Sequence, residues 1–175
     1  MAFGQLSLKA RALRHLARRE HSRAELARKL RPHARDEGDA SAEQQIGQAL
    51  DALATLGLLS DERSAQSLLR QRAGHGERRL RQDLQARGLA PELVARTLQQ
   101  ARGSELQRAR QLWQRRFGQP PASAAEAARQ MRFLAGRGFT AEVVHRVLRL
   151  SGSAPDAAVD PDDPDDPDDG GLGGP

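Results

Sequence analysis

Residues 84–99, LQARGLAPELVARTLQ, decide the fold, because residues 134–149, LAGRGFTAEVVHRVLR, repeat them fifty places later. Seven of the sixteen positions are identical: Leu84/Leu134, Arg87/Arg137, Gly88/Gly138, Glu92/Glu142, Val94/Val144, Arg96/Arg146 and Leu98/Leu148. Leu89 against Phe139 is a conservative eighth match. An internal repeat of this length marks one supersecondary unit used more than once. Glycine enters the left-handed region without a Cβ penalty, so Gly88 and Gly138 read as the residue just past a helix end. The apolar pairs Leu84/Leu89 and Leu134/Phe139 have the spacing that closes such a corner. A new helix starts at once, with Pro91 suited to a first helical position and Thr140 to an N-cap. Each copy is therefore helix, glycine corner, helix.

The same grammar extends outward. Residues 9–20 read as an amphipathic basic helix with Ala10, Leu13, Leu16 and Ala17 on one face. Ser22 with Glu25, Ser41 with Gln44 and Ser123 with Glu126 have capping-box spacing and open further helices. Ile46, Leu50, Leu53 and Leu56 form an apolar stripe closed by Gly57, where Leu53 and Leu58 are expected to meet across a third corner. Residues 61–73 form another helix, ended by Gly74 and Gly76, and Leu80 and Leu84 point inward from the next. Gly103 separates the first repeated motif from a segment holding Trp113, Phe117, Phe133 and Phe139. No period-two alternation of strand type occurs. The expected fold is all-α: an elongated tandem array of three three-helix repeats, nine short helices, with a disordered acidic C-terminal tail. The expected boundaries are a short segment 1–8, repeats at 9–60, 61–103 and 104–150, and an Asp/Pro-rich tail at 151–175.

Charge is split along the chain. The first 150 residues hold all 28 lysines and arginines and 15 of the 23 acids, a net charge of +13; the remaining 25 hold eight aspartates and no base. Only Lys9 and Lys29 are lysines, and the other 26 bases are arginines, whose planar fork suits phosphates and carboxylates. Such a body attracts polyanions in a salt-dependent way. Few aromatics are available as stacking platforms for single strands, so backbone-type contact or an acidic protein surface is the expected partner. No apolar run is long enough for a membrane span or a secretory signal, which makes a soluble, cytoplasmic protein the expectation.

Catalytic chemistry finds no footing. There is no cysteine. His15, His21, His33, His75 and His145 lack metal-ligand spacing, and Asp61 with Glu62 sit at a helix start, where acids complement the helix dipole. No phosphate-binding glycine loop accompanies Gly74 and Gly76. Neither a catalytic residue, a metal nor a cofactor is expected.

ALRHLARREHSRAELARKL at 12–30, the segment ALDALATLGLLSDERSAQSLLRQRA and the two RG corners together resemble the bacterial RecX family across residues 9–150. The resemblance implies a modular helical regulator without catalytic activity that binds the RecA recombinase and its filament on single-stranded DNA. It further implies inhibition of filament growth, ATP hydrolysis, strand exchange and co-protease activity. Three departures stand out. His21 and Ser64 replace residues that are commonly aromatic, and no tyrosine lies near His75 and Gly76. Weaker packing between the first two repeats is the consequence expected. Candidate contact residues are Arg18, Arg19, Arg28, Lys29, Arg70, Arg72, Arg78, Arg79 and Arg81, with Gly57, Gly88 and Gly138 as structural corners. A monomer with weak direct binding to single- or double-stranded DNA is expected. A stand-alone nucleic-acid module of helix-turn-helix type is the competing reading. The acidic tail competing with DNA for the basic face is a second expectation.

Overall fold

The computed structural model describes residues 6–36 and 40–152. The Asp-rich segment expected as a tail lies outside the described residues, apart from Ser151 and Gly152. Among the described residues there are nine α-helices and no β-strand. They are α1 (Leu8–Leu16), α2 (Arg23–Leu30), α3 (Ala42–Thr55), α4 (Asp61–Gln71), α5 (Glu77–Ala86), α6 (Pro91–Arg102), α7 (Glu105–Arg116), α8 (Ala124–Gly136) and α9 (Ala141–Leu150). A 3-10 turn, Arg31–His33, follows α2.

Helices pack mainly in threes, α1 to α3, α4 to α6 and α7 to α9, and each trio closes its own apolar cluster. The first is built on Leu26, Leu30, Ile46, Leu50 and Leu53, and the second on Leu80, Leu84, Leu89, Val94 and Leu98. The third holds Trp113, Met131, Leu134, Phe139, Val147 and Leu148. Burying one such side chain contributes about 1.5–3 kcal/mol, so each trio rests on a small number of residues. In the third, the buried Trp113 indole donates to Gln130 Oε1 at 2.7 Å, which satisfies the one polar atom that this large ring carries inside.

Local signals explain where helices begin. Ser22 and Ser41 form full capping boxes with Glu25 and Gln44, and Ser60 and Thr140 accept the N–H three residues on. Ser123 accepts from the Glu126 amide, but the Glu126 carboxylate turns to the Ala122 N–H instead of closing the box.

Two sequence expectations fail. The first helix ends at Leu16, and it buries Ala12 with Leu8 and Leu16 beside it, while Leu13 and Ala17 face outward. A helix this short covers its partner with one i, i+4, i+8 row, Leu8, Ala12 and Leu16. At Gly57, Leu56 and Leu58 are exposed and Leu59 enters the core. Both the Leu58 and Leu59 N–H groups donate to Leu53 O, so the corner turns one residue further before re-entering.

Candidate interaction surface

Gly57, Gly88 and Gly138 all have positive φ, at 69°, 70° and 84°, and Gly118 and Gly152 add corners of the same hand at 70° and 90°. The two repeated corners, however, do more than turn the chain. Each sits on the N-terminus of the middle helix of the preceding trio. A Cβ added at Gly88 would lie 2.6 Å from Ala24 Cβ in the first turn of α2, and one at Gly138 would lie 2.6 Å from the Arg79 amide in the first turn of α5.

Helix N-termini expose unpaired N–H groups that must be satisfied. At the first joint, the Ser22 hydroxyl donates to Arg87 O. Asp61, first residue of the next trio, accepts from the Arg23 amide at 2.8 Å. Arg28 Nη2 donates to Ala86 O at 2.9 Å, which covers a C-terminal carbonyl of α5. At the second joint, the Gly76 amide donates directly to Arg137 O at 3.0 Å and the Arg78 amide to Gly138 O at 3.1 Å. Glu105, again the first helical residue of the next trio, accepts from the Glu77 amide at 3.0 Å. Arg78 Nη2 donates to Ala135 O at 2.8 Å. The trios are thus coupled twice by one design: a glycine corner and an acid from the following trio cap the middle helix of the trio before.

Beside Ser64, where the resemblance implies an aromatic ring, the space is filled from within the second trio. Arg87, 9% exposed, fills the space, donating from Nη1 to Ser64 O and Oγ at 2.9 and 3.1 Å. Burial lowers its pKa, against the opposing pull of Glu25. A phenylalanine at position 64 would occupy the volume that the guanidinium takes. His21 is buried beside His15, with ring centroids 5.7 Å apart.

The joints also consume much of the basic surface expected to meet a partner. Arg19 pairs with Glu25, Arg72 and Arg79 with Asp83, and Arg81 with Glu77, which Arg102 shares. Arg28 and Arg78 are held on backbone carbonyls. Among the described residues, only Arg18, Lys29 and Arg70 of the nine candidates have no side-chain partner, and all three are exposed. Hydrogen bonds from Arg102 draw the Glu77 pKa below the usual carboxylate value against the effect of burial, with Arg81 adding to this.

The third trio is different. It carries nine arginines and three glutamates. Among the described residues, all ion pairs fall between Arg19 and Arg102, so none of these nine meets a carboxylate. Glu105 is occupied at the second joint and Glu126 at the Ala122 amide. Three of the arginines gather round a ring pair. Phe117 and Phe133 meet edge to face at 5.3 Å, with Arg116 and Arg137 at 5.9 and 5.3 Å from the Phe133 centroid and Arg129 at 5.9 Å from that of Phe117. Guanidiniums resting on rings keep their forks free for anions. Sequence reading missed this cluster because it weighed runs of adjacent arginines; the signal available was the excess of arginine over acid between residues 104 and 150. No helix among the described residues is long and apolar enough to cross a membrane.

Comparison with known proteins gives a consistent result. Family models for the first, second and third three-helix domains of RecX match residues 9–40, 60–98 and 104–148. A regulatory protein RecX of Leptothrix cholodnii is 53% identical over 148 residues, covering 84% of this chain and 90% of its own. One from Ralstonia nicotianae is 44% identical over 157 residues, covering 89% and 95%. Among solved structures, RecX from Lactobacillus salivarius superposes with a TM-score of 0.67 at 17% identity, over 83% of this chain and 94% of that one. A second regulatory protein RecX gives 0.62 at 19% identity, over 82% and 71%. At those identities the two structures speak to the fold.

Proposed function

This chain belongs to the RecX family, and we propose that it is a non-catalytic regulator of DNA recombination and repair that acts on the RecA recombinase. The relatives that it matches over most of its length are named as regulatory proteins. In this reading it binds the recombinase filament on single-stranded DNA and restrains filament growth, and with it ATP hydrolysis, strand exchange and co-protease activity.

The observation that carries the reading is the net charge of +13 over the first 150 residues, spread along three trios that are coupled in series by like joints. A partner with a repeating, anionic surface can engage such a chain at several points at once, and each added point raises avidity without a new kind of contact. Arg18, Lys29 and Arg70 are available without rearrangement. Arg19, Arg72, Arg79 and Arg81 are partly exposed but pair with carboxylates that are largely covered, Glu25, Asp83 and Glu77, so they would meet a phosphate only by giving up those pairs. Arg28 and Arg78 act chiefly at the joints, and their contribution to binding would be through the spacing that they hold. The unit boundaries that go with this reading are 9–60, 61–103 and 104–150, with α3 completing the first.

The test is a titration of DNA-dependent ATP hydrolysis by the recombinase. A filament regulator suppresses hydrolysis at concentrations below those at which it coats bare single-stranded DNA. Suppression that tracks coverage of the DNA would instead favour the stand-alone nucleic-acid module. A triple charge reversal, Arg18→Glu with Lys29→Glu and Arg70→Glu, should shift the titration to higher concentration and reduce its salt dependence.

A further inference from the structure

The arginine–phenylalanine cluster of the third trio meets no carboxylate among the described residues, and the sequence that follows α9 is rich in them. α9 ends at Leu150, and Gly152 turns the chain with φ of 90°. That turn sets Gly152 beside the loop between α7 and α8: an added Cβ would stand 3.9 Å from Pro120 Cγ, an ordinary contact distance. Pro120 lies three residues beyond Phe117 in the chain, so the described fold ends against the loop that follows the Phe117 ring. Downstream of that point the sequence holds Asp156, Asp160, Asp162, Asp163, Asp165, Asp166, Asp168 and Asp169, and no base occurs after Arg149. Those carboxylates have no cation within their own segment. The nine arginines of the preceding trio include Arg116, Arg129 and Arg137 round the rings and Arg146 and Arg149 on α9, and none of the nine meets a carboxylate among the described residues.

We propose that the Arg116, Arg129 and Arg137 surface binds the chain's own Asp-rich segment, residues 156–169, and that outside polyanions must displace it to reach this face. Length is no obstacle, since the 23 residues after Gly152 reach at most about 80 Å when extended. Tethering sets an effective concentration on the order of millimolar, so weak individual contacts suffice. The trio's own three glutamates are poor competitors: Glu105 is held by the Glu77 amide, Glu126 by the Ala122 amide, and Glu142 is a single charge. This inference stands apart from the proposed partner, because neither recombinase nor DNA is needed to see it.

The experiment compares the full chain with one cut after Gly152, using the side-chain Nε–Hε resonances of Arg116, Arg129 and Arg137. At low salt the cut should move all three. A synthetic peptide of residues 153–175 added in trans should return them, and high salt should abolish the difference. Identical spectra for the two chains would overturn the proposal. So would resonances that respond to oligothymidylate but not to the cut, since the face would then belong to nucleic acid. As a second measure, the cut should raise oligothymidylate affinity about threefold or more at low salt. An equal gain in the folded Arg116→Glu, Arg129→Glu, Arg137→Glu variant would contradict the assignment of the face.

Discussion

The two joints solve one problem with different atoms. In both, an RG corner from the following trio lies on the N-terminus of the preceding middle helix, and the first acid of the following trio accepts the next amide, Asp61 from Arg23 and Glu105 from Glu77. At the first joint a serine stands in between. Its own amide is taken by Glu25 in the capping box, so the hydroxyl reaches Arg87 O instead. At the second joint there is no side chain to interpose, and the Gly76 amide meets Arg137 O directly. The approach is correspondingly closer: a Cβ at Gly76 would stand 2.3 Å from the backbone of Gly138 and Phe139. The buried partner changes too. Arg87 is folded into the second trio, whereas Arg137 is left exposed over Phe133. Moving from serine to glycine at the cap therefore exchanges a side-chain link for a backbone link and frees one arginine of the pair for the surface.

The largest asymmetry expected lies at the caps themselves. Gly76→Ala should destabilise the protein by about 3 kcal/mol, because the new methyl group meets backbone that cannot swing aside. Ser22→Ala at the equivalent place removes a cap and one hydrogen bond and should cost about 1–2 kcal/mol. Urea denaturation of both variants gives the comparison, and equal losses would mean that the second joint is no tighter than the first. Next come the two acids. Glu105→Ala strands the Glu77 amide under a side chain that is 5% exposed and should cost about 2 kcal/mol. Asp61→Ala, at a more open position, should cost about 1 kcal/mol by the same measurement.

The arginines give a smaller but cleaner contrast. Arg87→Ala should lose about 2 kcal/mol by removing the buried bonds to Ser64, while Arg137→Ala should stay within about 0.5 kcal/mol of the parent.

The smallest effect is one of pH. His21 and His75 each precede the cap of a joint helix, and burial is the first cause lowering the pKa of both from the usual 6.5. Arg72 and Arg137 add to it at His75, and the Arg19 carbonyl opposes it at His21. A folded pKa below the unfolded one means that the unfolded chain takes up protons first as pH falls. Stability should be flat above about pH 6.5 and decline below it. Glu25 and Glu77, whose pKa values are lowered overall, add a further loss nearer pH 4 and below. His75→Gln should flatten the upper part of that profile in thermal melts; an unchanged profile would mean that His75 has no part in it.

Much of this architecture is legible in the sequence, because helix caps and glycine corners are local. Ser22 with Glu25, Pro91, and the paired Gly88 and Gly138 each work through residues a few positions away. What the corners touch is not local. Gly76 carries no side chain to advertise that it lies against Gly138, and Asp61 and Glu105 read as ordinary first-turn acids although they cap another trio's helix. The rotated face of α1 and the outward Leu56 and Leu58 belong to the same class, since which apolar row is covered depends on the partner. The charged surface misleads for a related reason. ERRLR at 77–81 stands out as a basic run, yet Arg78 is bonded to Ala135 O and Arg81 to Glu77, while among the described residues no arginine after residue 104 pairs with a carboxylate.

Coupling of the second trio to the third is best read from backbone amide exchange at Gly76 and Arg78. Both lie in the first turn region of α5, where amides normally exchange with little protection because no preceding turn accepts from them. A corner that caps α5 should give protection at both, approaching that of the helix interior, and Gly76→Ala should lose it. Free exchange at Gly76 and Arg78 in the intact protein would contradict this, because the corner of the third trio would then not be capping the second.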